Sequence, residues 1–237
     1  MASSSTTIEQ DGGDNEPIYF WREYGTPHCY MSQWYLSPFT EPAIKTHYKT
    51  AEQYMMHRKA LLFNDPAIAS QILATTSPKA QKSLGRKVKN FDQKVWEAER
   101  LKIVEEGTYL KFKFGSDRGE WEGEKVGLRE RLLGTSEREL VEASPMDRTW
   151  GIGFTERFAD ERREDWGLNL LGVALMSVRE RLRAEEDGEG GRGIKEGDVE
   201  GKEKVAEANV GNHKESEQEE VGAEDKRPHK RRRNRKV

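Results

Sequence analysis

The sequence predicts a mainly α-helical protein with a minor β component: a single compact domain flanked by disordered N- and C-terminal tails. Three observations carry that prediction. Apolar residues recur at helical spacing in several segments that begin at capping side chains. Strand-like stretches are few and short. All six Trp lie between Trp21 and Trp166, whereas residues 184–237 contain no aromatic residue, no Leu and no Met. A segment of that composition cannot bury enough apolar surface to offset its ordering entropy. Residues 184–237 therefore read as a disordered tail, and residues 1–16 likewise. Residues 17–183 remain for one globular domain, long enough to bury most of its apolar surface.

Ile18–Trp21 opens the domain as a strand, and Gln33–Leu36 is a second strand-like stretch. Thr50 can cap a helix through Phe63. Asp65-Pro66 and Ser77-Pro78 each set a capping side chain before a proline suited to the first helical position. They begin short helices through Ile72 and Leu84, the second stopped by Gly85. Asp92 caps the longest helix, in which Trp96, Ile103, Leu110 and Phe114 recur at helical spacing; Gly107 is expected to break or bend it. The charged, Gly-rich stretch 115–127 reads as a surface insertion. Leu128–Leu133 forms a short helix ended by Gly134, Glu139–Ala143 a strand, and Asn169 caps a final helix with Leu171, Leu175, Val178 and Leu182 along one side.

The formal charge of −3 hides a division. Residues 184–225 carry 5 Lys+Arg against 15 Asp+Glu, residues 226–237 carry 8 basic residues and no acid, and residues 1–183 are nearly balanced at 27 against 28. An acidic spacer thus leads to a basic tip, KRPHKRRRNRKV, of the kind that serves nuclear import or contacts nucleic-acid phosphates. Cys29 is the only cysteine, which excludes an intramolecular disulfide and a Cys-based zinc site. No run approaches the length of a membrane span, and the N-terminus has neither an apolar h-region nor a Lys or Arg before Arg22. No membrane partner and no secretory or mitochondrial targeting are expected, and an intracellular location, nuclear or cytoplasmic, is. GxxxxGK[ST], GxSxG and HExxH motifs are missing, and the five His show no metal-ligand spacing beyond an unremarkable ten-residue gap between His47 and His57, so neither a metal nor a cofactor is expected.

Three constellations could carry chemistry. Glu52 and Lys59 are seven residues apart, two helical turns, and share a face with Met56 between them. Apolar surroundings would lower the lysine pKa and yield a usable nucleophile; the same spacing also suits two solvated surface charges. Gly85-Arg86 follows a helix end and could hold a phosphate, or could be a C-cap beside a surface cluster of Lys82, Arg86, Lys87 and Lys89. In ASPMDRTWGIGF, Asp147 and Trp150 beside two glycines suit a nucleoside or sugar ring; a tight turn packed by Trp would look alike.

Seven segments in order, SQWYLSPF (32–39), TAEQYMMHRKALLF (50–63), the Pro-Lys helix ending LGR (78–86), FDQKVWEAER (91–100), LKFKF (110–114), LVEASPMDRTWGIGF (140–154) and NLLGVALMSVRERL (169–182), resemble the NADAR (YbiA-like) family from Ile18 to Arg183. The resemblance implies a metal-free, mostly helical N-glycosidase. Two activities go with the family: hydrolysis of early riboflavin-biosynthesis intermediates, ribosylamino-pyrimidine phosphates, and removal of ADP-ribose from guanine in nucleic acid. It implies Glu52 and Lys59 as catalytic residues with Asp147, Trp96, Trp150 and Gly151 at the pocket, and Arg86 on phosphate. Glu142 and Asn169 fall in matching motifs as further substrate contacts. The stretch Phe114–Leu128 is longer than the compact family pattern.

The expected mechanism has neutral Lys59 attacking the anomeric carbon, ring opening to a Schiff base and hydrolysis, with Glu52 or Asp147 moving the proton. The basic tip at 226–237 tilts the substrate towards ADP-ribosylated nucleic acid over a small phosphorylated riboside. A pocket that binds ADP-ribose without cleaving it, and a nucleic-acid adaptor driven by the tail, are the competing classes. Retention of both Glu52 and Lys59 favours the enzyme.

Overall fold

The computed structural model of the protein describes residues 16–121 and 124–190. The readings made for residues 1–15 and 191–237, the basic cluster included, lie outside the described residues. Within them the chain is largely helical, as predicted. The elements are β1 (Ile18–Phe20), β2 (Phe39–Thr40), β3 (His47–Tyr48), α1 (Ala51–Leu62), α2 (Pro66–Ala74), α3 (Pro78–Gly85), α4 (Gln93–Phe114), β4 (Arg118–Trp121), β5 (Glu124–Gly127), α5 (Leu128–Leu133), β6 (Leu140–Glu142), α6 (Glu156–Ala159) and α7 (Leu170–Gly190), with 3-10 turns at Cys29–Met31 and Asp160–Asp165.

Local capping chemistry starts four of the helices. The side chains of Thr50, Asp65, Ser77 and Asp92 accept from Gln53, Ile68, Ala80 and Val95 N–H respectively, and Pro66 and Pro78 occupy first-turn positions. Helix α1 is the central element and packs against α2, α3 and α4. Its residues Ala51–His57 are all buried, polar ones included. Gln53 shows how: its amide nitrogen donates to the Ile72, Leu73 and Thr75 carbonyls at 3.0–3.2 Å, and its oxygen accepts from Lys49 N–H at 2.8 Å. The C-terminal carbonyls of α2 are thereby satisfied from a neighbouring helix.

The structure departs from the sequence reading in several places and adds detail in another. Helix α4 passes Gly107 without interruption. A Cβ there would meet the Tyr54 ring at 2.5 Å, so the glycine is a close-approach point for α1 rather than a breaker. Gln33–Leu36 forms no strand; its backbone is used elsewhere, Gln33 C=O accepting from Glu52 N–H at 3.0 Å. Part of the 115–127 insertion is an antiparallel hairpin, β4 against β5. Asn169 does not cap α7 with its side chain. At φ +46 it turns back to β6, donating Nδ2–H to Leu140 C=O at 2.9 Å and accepting Glu142 N–H on Oδ1 at 3.0 Å. Helix α7 itself continues past residue 183 to Gly190.

Strands β1 and β6 pair in parallel, with Phe20 opposite Glu142. Helix α7 lies across this ribbon so closely that a Cβ on Gly172 would fall 2.0 Å from Leu140 C=O. The ribbon, α7 and the start of α1 together frame the site.

Candidate active site

The end of the β1–β6 ribbon and the first turns of α1 enclose a cavity of about 470 Å³. Glu52 and Met56 reach it from α1, Lys82 from α3, Trp34 from the loop before β2, Glu142 from β6, and Asp147 and Trp150 from the loop after it. Its size falls within the range of small-molecule sites.

Four acidic side chains, Glu23, Glu52, Glu142 and Asp147, line the cavity with two cations, Arg22 and Lys82. Glu52 is 3 % exposed, and neither its Oε1 nor the enclosed Oε2 of Glu142 has a hydrogen-bond partner. Burial pushes the Glu52 carboxyl up to about 7, against the pull of Lys82 and the hydrogen bond from Trp34. Burial, reinforced by the charges of Asp147 and Glu52, pushes Glu142 up to about 8. Both carboxyls therefore hold protons well above the ordinary carboxylate range, which suits a group that must give one away at neutral pH. Asp147 Oδ1 accepts from Thr149 and Trp150 N–H at 2.9 and 2.8 Å, which fixes the turn that presents Trp150.

Lys59 lies on the same side of α1 as Glu52, about 10 Å along the axis by helical rise. It does not line the cavity. Its Nζ sits 4.3 Å from the Phe91 ring centroid and 5.2 Å from that of Trp96. Burial, and secondarily the charge of Arg86, lower its pKa, while Glu52 pulls the other way. Arg86 itself is exposed at the end of α3.

The nine residues singled out from sequence thus fall into three sets. Glu52, Glu142, Asp147 and Trp150 meet around the cavity. Lys59 and Trp96 meet beside Phe91, with Arg86 in electrostatic reach. Gly151 and Asn169 stand behind the wall: Asn169 pins the Glu142 N–H, and a Cβ on Gly151 would meet Glu142 C=O at 2.5 Å. Lys82 and Trp34 escaped the sequence reading as site residues. Lys82 looked like one of several surface lysines, although its place inside the Pro-Lys motif was a signal; Trp34 likewise sits in SQWYLSPF.

Residues 19–183 match the model of the NADAR domain. The chain belongs to the NADAR domain family. This NADAR chain is 41% identical over 155 residues to an N-glycosidase of Acanthamoeba polyphaga mimivirus, covering 63% of this chain and 85% of that one. It is 32% identical over 169 residues to an N-glycosidase of Nostoc punctiforme, covering 70% and 92%. The NMR structure of the E. coli protein YbiA shares the fold, with a TM-score of 0.55 at 24% identity over 73% of this chain and 88% of that one. No helix among the described residues is long and apolar enough to cross a membrane.

Proposed function

We propose that this NADAR protein, a hydrolase of N-glycosyl bonds, removes ADP-ribose from guanine in nucleic acid. The observation that carries the chemistry is the cluster of Glu52 and Glu142, two carboxyls that keep their protons near neutrality at the wall of a nucleoside-sized cavity. Cleaving a ribose–base bond needs a proton on the departing nitrogen, and a buried carboxylic acid supplies one. Glu52 is the donor in this reading, and Glu142 is the second proton-holding carboxyl across the cavity. Trp150 offers an aromatic face to base or ribose.

Lys59 is the nucleophile. Its lowered pKa leaves a larger neutral fraction than a surface lysine has, and the Phe91 and Trp96 rings flank its amine. Attack at the anomeric carbon forms a C–N bond as the base leaves; ring opening gives a Schiff base, and water releases the sugar and restores the amine. Arg86 takes phosphate. Because Lys59 stands about two turns from Glu52, the reading requires the sugar to extend along α1 past Met56. The guanine assignment leans on the basic tip at 226–237, which suits a nucleic-acid substrate or a nuclear address.

A second reading, hydrolysis of ribosylamino-pyrimidine phosphates, is favoured by the cavity volume, which suits one phosphorylated riboside. Purified wild type, Lys59→Ala and Glu52→Gln are incubated with guanine-ADP-ribosylated DNA and with the ribosylamino-pyrimidine phosphate, and products are followed by mass spectrometry. Cleavage of the DNA substrate, with a borohydride-trapped sugar adduct on Lys59 and a 10²–10⁴-fold loss in Glu52→Gln, is expected. Cleavage of the pyrimidine alone gives the second reading. Undiminished activity in Lys59→Ala removes the Schiff base and leaves water attack guided by a carboxylate. Binding of ADP-ribose without any cleavage would make the protein a reader.

A further inference from the structure

A second cavity, of about 480 Å³, lies against the first and takes no part in the chemistry above. The end of the β1–β6 ribbon divides the two. Successive residues of an extended chain point to opposite faces, so Glu142 and Ser144 line the carboxylate cavity and Ala143 lines its neighbour. Trp21, Arg22 and Tyr24, just past β1, line both and form a common rim. The Arg22 guanidinium lies 4.5 Å from the Trp21 ring centroid and 5.8 Å from that of Tyr24, and donates to Tyr24 Oη at 3.3 Å. The far wall is Thr155, Glu156 and Arg157.

We infer that this second cavity is a subsite for a nucleoside phosphate, continuous over the Trp21–Tyr24 rim with the carboxylate cavity. Each part of such a ligand has a matching group. Trp21 and Tyr24 offer a base the ring faces turned away from Arg22, and Tyr24 is 58 % exposed. Arg22 and Arg157 supply two guanidinium forks for phosphate. Glu156 can accept from a ribose diol. A lone phosphorylated riboside fills the first cavity and has no use for a second of equal size, whereas an ADP-ribosyl group on a strand extends beyond it in two directions. The inference therefore rests on the ADP-ribosyl-guanine reading. The bound nucleoside phosphate is either the adenosine end of the ADP-ribosyl group or the nucleotide beside the modified guanine.

Thr155→Trp, which fills the second cavity, and Arg157→Glu, which reverses its charge, leave every wall of the first untouched. Both variants, checked for an unchanged melting midpoint, are assayed on three substrates: an ADP-ribosylated oligonucleotide, ADP-ribosylated dGMP, and the latter trimmed to ribosyl-5-phosphate on guanine. KM is expected to rise at least tenfold on the oligonucleotide, with the trimmed substrate unaffected. The same rise on ADP-ribosylated dGMP assigns the subsite to the adenosine end; a rise on the oligonucleotide alone assigns it to the flanking nucleotide. Unchanged kinetics on all three, or an equal loss on all three, overturns the inference. If wild type cleaves none of them, the proposed function fails separately, and titration of ADP and of a single-stranded oligonucleotide against tryptophan fluorescence decides the subsite. Saturable binding weakened tenfold by Arg157→Glu upholds it, and no saturable binding removes it.

Discussion

Glu52 and Glu142 hold protons that an unfolded chain would release, and this ties the chemistry to stability. Their carboxyls stand at about 7 and about 8 in the fold because burial disfavours the charged form. With folded values above the ordinary 4.5, the native state binds more protons than the unfolded state between pH 4.5 and 8. Stability from these groups is complete below pH 4.5 and is lost as pH rises through 7 and 8. Glu52→Gln and Glu142→Gln should each flatten the decline between pH 5 and 7 and raise stability at pH 8 by roughly 1–3 kcal/mol, even as activity falls. Urea unfolding at fixed pH values measures this, and an unchanged slope in both variants would show that these carboxyls are not buried as protonated acids. Lys111 sets the upper edge of the clean window. It is fully buried, donates to Tyr30 and Ser32 carbonyls at 2.6 and 2.9 Å, and burial lowers it to about 7. A lowered lysine makes stability rise from about pH 7 towards 10.5, opposing the glutamates there.

Elements were legible from sequence where their cause was local. Thr50, Asp65, Ser77 and Asp92 announce helix starts through one side chain and one backbone N–H, and the seven-residue spacing of Glu52 and Lys59 correctly put them on one side of α1. What sequence could not give was the partner each element meets. Lys59 meets Phe91 and Trp96 from a different segment and does not line the cavity that its helix-mate lines. Asn169 looked like a cap because asparagine caps helices, yet its left-handed backbone aims the side chain at β6. Gly107 has the same lesson, and a test. In an open helix Gly→Ala would gain about 1 kcal/mol. Here the added methyl would meet the Tyr54 ring at 2.5 Å, which forces α1 and α4 apart. Gly107→Ala should therefore destabilise by ~1–3 kcal/mol, and Tyr54→Leu in the same chain should recover part of the loss. Additive effects of the two changes, measured as shifts in denaturation midpoint, would show that the contact does not limit the packing.

At the scale of the molecule, helix α7 runs through residue 183, where the composition changes, and on to Gly190. Low apolar content says that residues 184–190 cannot make a core; it does not say that they cannot fasten one. Glu185 accepts from Tyr109 Oη and from Lys113 Nζ, both at 2.7 Å, and Arg181 lies over the Tyr109 ring at 3.3 Å while pairing with Glu106. The last turns of α7 are thus tied to the second half of α4, the helix whose Lys111 holds the Tyr30–Ser32 turn and, one residue on, the loop that carries Gln33 and Trp34 to Glu52. A chain ending at Gly190 keeps this fastening and is expected to match the full-length protein within about 0.5 kcal/mol. One ending at Arg183 leaves Tyr109 and Lys113 without their carboxylate and should lose about 1–2 kcal/mol, the worth of partly exposed hydrogen bonds to a charged group. Because part of that interaction is an ion pair open to solvent, the gap between the two truncations should narrow as salt is raised. Equal midpoints for the two truncations at low salt would mean that α7 is secured entirely by Leu171, Leu175, Val178 and Leu182 on its buried face, and that Glu185 is incidental to the fold.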